Sequence, residues 1–368
     1  MANRAKAGSS SLLAAVGGFT VLVGPFADTV SRAQDVNLYT TREPGLIKPL
    51  LEAFTAKTKV RVNAVFVKDG LGERVAAEGA RSLADILMTV DFGSLVELVD
   101  KGVTQVVDSA VLKAAIPEQL RDPAGHWFAL SMRARIIYAS KERVSLDAMT
   151  YEDLADPKWK GKICIRSGQH PYNTALTANM ISRSGEPATE AWLKGLKANL
   201  ARKASGGDRE VARDILAGIC DIGVGNSYYV GLMRSGKGGP EQKKWGDAIN
   251  TIMPRFKGGG THVNASGAAL AKNAPNKANA VALLEYLVTD EAQAAYASAD
   301  FEYPVAASAK VDGTIAGLGR LEPDATPLLD IARNRRDGCF AEGSEVRHLL
   351  PMTTAFSIGV GLGSAMLR

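Results

Sequence analysis

From residue 36 onward the chain alternates between two hydrophobic periods. VNLYTT (36–41) reads as a strand, and PGLIKPLLEAFTAKTK (44–59) then places Leu46, Ile47, Leu50, Leu51 and Phe54 on one helical stripe. Pro44 suits a helix start, and Pro49 is expected to move the regular part of that helix slightly later. VRVNAVFV (60–67) alternates with period two and predicts a second strand. GERVAAEG predicts a helix, ADILMTV (84–90) a third strand, and GSLVELVDKG (93–102) another helix. This β-α-β-α-β-α order predicts an α/β fold, a sheet covered by helices.

The alternation restarts further on. YEDLADPKWKGKICIRSG leads into a strand, and NTALTANMISRSG and EPATEAWLKGLKANL predict two helices. REVARDILAGICDIGVGN repeats helix and strand, and YYVGLMRSG starts another helix. VNASGAALAKNAPNKANAVALLEYLVTDEAQAAYA predicts a strand and two helices. Two similar halves with the chain crossing between them predict two lobes around a cleft, and ligands favour such interfaces and the carboxyl ends of strands. From about Arg333 the chain loses helical periodicity and ends in a Gly-rich apolar stretch.

The length of 368 residues leaves room for two packed domains. Net charge is +5 without a dense basic run, which argues against a nucleic-acid tract and permits a weakly anionic ligand. The N-terminus differs from the rest. Arg4 and Lys6 precede SSLLAAVGGFTVLVGPF, and Ser31-Arg32-Ala33 is a small-x-small pattern, so a secretory signal cleaved after Ala33 is expected. The alternative is a membrane anchor, but the run is interrupted and short against a span of about 20 residues. Export would place Cys164, Cys220 and Cys339 in an oxidising compartment. Cys164 and Cys220 both lie in short apolar runs: a disulfide if the strands are neighbours, otherwise two buried thiols. No zinc-type spacing accompanies them.

Candidate chemistry is sparse in the usual catalytic motifs. The four histidines, His126, His170, His262 and His348, are scattered, and no GxSxG, HExxH or Walker loop is present. Tyrosines say more. In CDIGVGNSYY, Tyr228 and Tyr229 follow a strand, with Asn226 and Ser227 as candidate N-caps of the next helix. Tyr172, in GQHPYN, sits at a similar junction. The three are either wall and core, or hard oxygen ligands suited to a trivalent cation such as Fe(III). Arg42, before a helix start, and Arg133, entering a strand in SMRARIIYAS, are either salt-bridge residues or holders of a small anion such as carbonate.

Several stretches, in order, carry a resemblance: YTTREPGLIKPLLEAF, ADILMTVD, WFALSMRARIIYASK, WKGKICIRSG, YNTAL, NLARKASGGDRE, GICDIGVGNSYY, GTHVNASGAALAKNAPNKANAVALLEYL and FEYPV. From about Val36 to Ile331 the sequence resembles the periplasmic ferric-ion-binding proteins of bacterial iron ABC transporters. The resemblance implies a two-lobed type II periplasmic binding fold. Its hinge strands would cross near Ser131 to Ile136 and Thr261 to Ser266. The chain then divides into a signal peptide (1–33), one lobe (34–131 plus 263–305), a second lobe (132–262 plus 306–333) and an atypical tail (334–368).

It also implies Fe(III) held by Tyr172, Tyr228 and Tyr229, with carbonate or a similar small anion held by Arg42 and Arg133. Glu43 and Pro44 stand where other branches place a His-Tyr pair, and proline cannot ligate. Glu43, Tyr39 and Asp91 remain lesser cleft candidates. The resemblance supports a Cys164–Cys220 disulfide. It implies delivery of iron from the periplasm to an inner-membrane ABC permease by a monomer without a stable membrane span. The alternatives are the same fold binding an organic anion, a polyamine or a thiamine-type solute, or an enzyme of this architecture with His170 as its base.

Overall fold

The computed structural model describes residues 35–306, 308–309 and 313–337. The expected signal segment (1–33), Cys339 and the tail beyond 337 lie outside the described residues. Ten strands are described: β1 (Val36–Thr40), β2 (Val62–Phe66), β3 (Ile86–Thr89), β4 (Thr104–Gln105), β5 (Trp127–Ser140), β6 (Ile163–Cys164), β7 (Ile222–Asn226), β8 (Ile249–Ile252), β9 (Val263–Ala271) and β10 (Tyr303–Pro304). They join in the order β2-β1-β3-β9-β5-β7-β6, with β4 on β9 and both β8 and β10 on β5. β1 runs parallel to β2 and β3, and β6 parallel to β7, whereas β5 and β9 are antiparallel to their partners.

β5 organises the site. It is 14 residues long and buried along its whole length. From Trp127 to Ala134 it pairs with β9, and from Arg135 onward with β7 and then β8. One strand therefore serves two sheets, and the handover falls between Ala134 and Arg135. Before it, β1, β3, β9 and the helices Pro44–Thr58, Phe92–Asp100, Lys277–Leu287 and Asp290–Asp300 enclose one apolar core. Beyond it, Ile137 and Ala139 join Trp192, Ile222 and Val224, while Ile136 and Tyr138 join Val211, Ile215, Val230 and Met233. The period-two alternation of a strand puts these sets on opposite faces, each covered by helices. Two helices of the second half reach the first core. Ala175 and Ala178 of Pro171–Ala198, and Tyr228 and Leu232 of Ser227–Arg234, pack against it.

Local structure follows the sequence pattern with instructive departures. The first helix begins at Pro44 and continues through Pro49 instead of starting after it. Proline removes the hydrogen bond that Gly45 would accept, and Gly45 is exposed, so water can satisfy the carbonyl. The two helices expected after residue 171 form one run, Pro171–Ala198, broken at Gly185, whose φ of 76° leaves the helical region. Arg133 does not enter a strand but lies in the middle of β5. The expected loss of helical order near Arg333 comes later, since the helix Leu328–Asp337 buries Leu328, Ile331 and Ala332.

The glycines of IGVGN in β7 mark a close approach. A Cβ at Gly225 would lie 2.2 Å from the Tyr138 ring, whose hydroxyl donates to the Asn226 carbonyl at 2.6 Å. Cys164 on β6 and Cys220 just before β7 form a disulfide, both residues buried and their Cα atoms 5.8 Å apart. The bond ties together the two segments that lead to the tyrosine-bearing helices. It closes a sequence span of 56 residues. On the chain-entropy account, its loss through paired Ala substitutions is expected to cost about 4 kcal/mol in urea unfolding, and a loss below about 1 kcal/mol contradicts this.

Candidate metal centre

Tyr172 is the second residue of the helix Pro171–Ala198, and Tyr228 and Tyr229 lie in the first turn of Ser227–Arg234. Both helices follow strands that point toward the same end of the second sheet, so their first turns meet there. The hydroxyls of Tyr172 and Tyr228 are 3.3 Å apart, and the Tyr228 and Tyr229 rings lie 4.1 Å apart at 38°. All three side chains are half-buried. Burial pushes Tyr228 well above the ordinary phenol range, and its neighbours Tyr172 and Tyr229 add to the shift. Burial raises Tyr229 as well, with Tyr172 next in effect. In the free protein Tyr228 and Tyr229 are therefore neutral at neutral pH, and only a strongly charged cation could deprotonate them. Among the described residues no group of three His, Cys, Asp or Glu side chains could hold a metal. The phenols are the concentrated hard-oxygen donors.

Positive charge surrounds them. The Arg133 and Arg166 guanidiniums lie 5.5 and 5.1 Å from the Tyr172 ring centre, and Arg209 lies 5.7 Å from that of Tyr229. Arg133 is buried and donates to Ser266 Oγ at 2.9 Å and to the Val90 carbonyl, while its Nε has no hydrogen-bond partner. It thus joins the first sheet to the tyrosines. Arg166 also has a buried Nε without a hydrogen-bond partner.

Behind the tyrosines a second network fixes their helices. Arg135 donates to Asp208 at 2.5 Å, to Asn173 Oδ1 at 2.7 Å and to Asn226 Oδ1 at 3.1 Å. Asp208 also accepts from the Asn226 backbone N–H at 2.9 Å. Asn173 follows Tyr172, and Asn226 precedes the Tyr228 helix, so one buried guanidinium sets the spacing of both. The expected side-chain caps are spent elsewhere: Asn226 on Arg135, and Ser227 Oγ on the Ala134 N–H. His170 is the cap of the other helix, its Nδ1 accepting from the Tyr172 N–H at 3.2 Å. Burial lowers this imidazole to about 4, with Arg166 adding to the effect. A nitrogen committed to capping is poorly placed to act as a catalytic base.

The remaining candidates engage other partners. Arg42 donates to Asp300 at 2.5 Å, Ser266 Oγ at 2.6 Å and Glu302 at 2.8 Å, and its buried Nε has no hydrogen-bond partner. Tyr39 is buried beneath the Arg74 guanidinium, 4.7 Å from its ring centre. Glu43 is exposed at the start of Pro44–Thr58 and makes no side-chain cap. Asp91 caps Phe92–Asp100 through the Ser94 N–H and accepts from Asn264 at 2.8 Å. Asp300, Glu302, Arg135, Asp208, Arg166 and Arg209 went unnoticed in the sequence. A usable signal existed: two arginines, Arg133 and Arg135, interrupt a largely apolar buried strand on one face.

The two carboxylates on Arg42 are not equivalent. Burial works against ionising Glu302, yet Arg42, Arg133 and the Ser131 hydroxyl hold it below the usual carboxylate range. Burial pushes Asp300 up to about 7 from an ordinary 3.8; Arg42 opposes the rise and Glu302 adds to it. A raised carboxyl pKa favours the protonated folded state. That stabilisation is complete below about pH 4 and is lost as pH rises through about 7. Asp300→Asn, which stays neutral, is expected to flatten the stability profile between these values in urea unfolding. Parallel profiles contradict this.

A family model for bacterial extracellular solute-binding proteins matches residues 81–317. The chain belongs to that family. Iron uptake protein A1 of Synechocystis sp. is 39% identical over 84% of this chain and 90% of its own length. A solved Bordetella ferric binding protein is 59% identical, covering 82% of this chain and 96% of that one with a TM-score of 0.80. A Trichodesmium protein solved in complex with iron and citrate is 40% identical over 82% of this chain and 96% of its own, TM-score 0.79. These likenesses give this solute-binding protein the α/β, two-lobed periplasmic binding fold. The relatives are named for iron uptake and ferric binding, not for a catalysed reaction.

Proposed function

We propose that this solute-binding protein carries Fe(III), held by the phenolate oxygens of Tyr172, Tyr228 and Tyr229. The observation that carries the reading is the meeting of these phenols, with Tyr172 and Tyr228 hydroxyls 3.3 Å apart. Three phenolates neutralise a 3+ ion, and a small anion such as carbonate completes the coordination. Arg133 balances the anion's charge, since its guanidinium lies against Tyr172 and its Nε is unpartnered. Arg42 is already matched by two carboxylates, so it contributes through its own unpartnered Nε.

Loading releases the phenol protons, so acid opposes binding. The two lobes close over the ion about the β5 and β9 crossing, excluding water, and open again on an inner-membrane ABC permease. Residues 1–33 direct export to the periplasm, where the mature chain acts as a monomer. Among the described residues no helix is long and apolar enough to cross a membrane.

The arginines around the phenols count against a polyamine or thiamine-type cation. An organic anion alone would suit the arginines but leave the clustered phenols without a role. Metal analysis after loading with a ferric chelate, with and without bicarbonate, separates the two. One iron per chain that is retained through desalting supports the proposal; retained organic anion without iron overturns it.

A further inference from the structure

Asp300, Phe301 and Glu302 link the Arg42 network to the tyrosine helix. Asp300 and Glu302 grip the two terminal nitrogens of Arg42 at 2.5 and 2.8 Å. Phe301, between them, ends the helix Asp290–Asp300 in the left-handed conformation, with φ of 56°. Glycine is the usual residue there, because a Cβ crowds the following carbonyl oxygen. Among the described residues only Lys59 shares such a non-glycine conformation. Strain of this kind persists where the surroundings over-determine it.

The surroundings are the helix that carries Tyr228 and Tyr229. A Cβ built on Gly231 would lie 2.6 Å from Phe301 Cγ, so the ring sits directly on the helix backbone. Gly231 is one helical turn on from Tyr228, which packs, with Leu232, against the same core as Phe301. Lys237, just beyond that helix, adds a second tie: its ammonium lies 4.8 Å from the Phe301 ring centre and donates to the Ser298 carbonyl at 3.5 Å.

We infer that Phe301 is a positioning residue for iron binding. Its ring, seated in the notch at Gly231, sets where Tyr228 and Tyr229 stand, while Asp300 and Glu302 fix that ring to Arg42. The ring thereby joins the arginine side of the site to the tyrosine side. This rests on the proposed tyrosine ligands.

Two variants and their combination test it. Phe301→Gly suits the left-handed backbone and removes the ring alone. Gly231→Ala fills the notch. In iron-free protein, amide exchange in Ser227–Arg234 is expected to rise about tenfold in Phe301→Gly, while the helix Phe92–Asp100 is unchanged. Ferric affinity is expected to fall about tenfold in each variant, with a shifted visible band. The double variant is expected to stay within about threefold of Phe301→Gly, because the added methyl then meets no ring. Exchange and affinity within twofold of wild type in both single variants, or losses that multiply in the double, overturn the inference. A wild type that takes up no iron sinks the ligand assignment and the iron-positioning role with it, whereas the iron-free exchange still reads the Phe301–Gly231 contact.

Discussion

Tyr228→Phe is expected to lower ferric affinity by at least about 100-fold, beyond the 10- to 100-fold that changes to groups supporting a ligand produce. The substitution keeps the ring that packs against the first core and against Tyr229 at 4.1 Å, so folding is preserved. What it removes is the hydroxyl 3.3 Å from that of Tyr172. A phenyl ring offers Fe(III) no anionic oxygen, and the charge of the ion is then one phenolate short. Tyr172→Phe and Tyr229→Phe are expected to act similarly. Tyr39→Phe, whose ring lies beneath Arg74, is expected to bind within about twofold of wild type. Competition with a ferric chelator measures all four. Wild-type affinity in Tyr228→Phe contradicts the ligand assignment.

Arg135→Met is expected to give the largest loss of stability, about 3–5 kcal/mol in urea unfolding, because it strands a buried carboxylate. Arg135 and Asp208 are 2.5 Å apart with side chains 2% and 0% exposed, so water cannot replace the lost partner. Arg166, 3.4 Å from the other Asp208 oxygen, compensates in part only. The same change releases Asn173 and Asn226, which hold the first turns of the two tyrosine helices. Iron affinity is therefore expected to fall along with stability. Replacing both residues, as Arg135→Met with Asp208→Leu, is expected to recover much of the stability but not the affinity, since no charge is left unpaired while the two asparagines stay untethered. A loss below about 1 kcal/mol in Arg135→Met contradicts this account.

Much of the fold and the tyrosines could be read from the chain because their signals are local. The helical stripe through Ile47, Leu50, Leu51 and Phe54 becomes a buried face, and the glycines of IGVGN mark the strand that ends at the Tyr228 helix. The junctions themselves brought Tyr172 and Tyr228 into view. The charged framework was hidden because its partners are distant in sequence. Arg42 meets Asp300 and Glu302 across separations of 258 and 260 residues, and Arg135 meets Asp208 across 73. No local period encodes such pairs. The expected anion-holding role of Arg42 could therefore not include the pairing of its terminal nitrogens with Asp300 and Glu302, which leaves its Nε unpartnered. The Asn226 side chain was hidden in the same way: it serves a buried arginine instead of capping its own helix.

The most direct test is the visible spectrum of the purified chain mixed with ferric iron and bicarbonate, beside the Tyr172, Tyr228 and Tyr229 variants to Phe. Phenolate bound to Fe(III) gives a charge-transfer band in the visible range. The account predicts an intense band in the wild type that weakens in each single variant and vanishes when all three tyrosines are replaced. A wild type that binds iron yet stays colourless, or a triple variant that keeps the band, contradicts it.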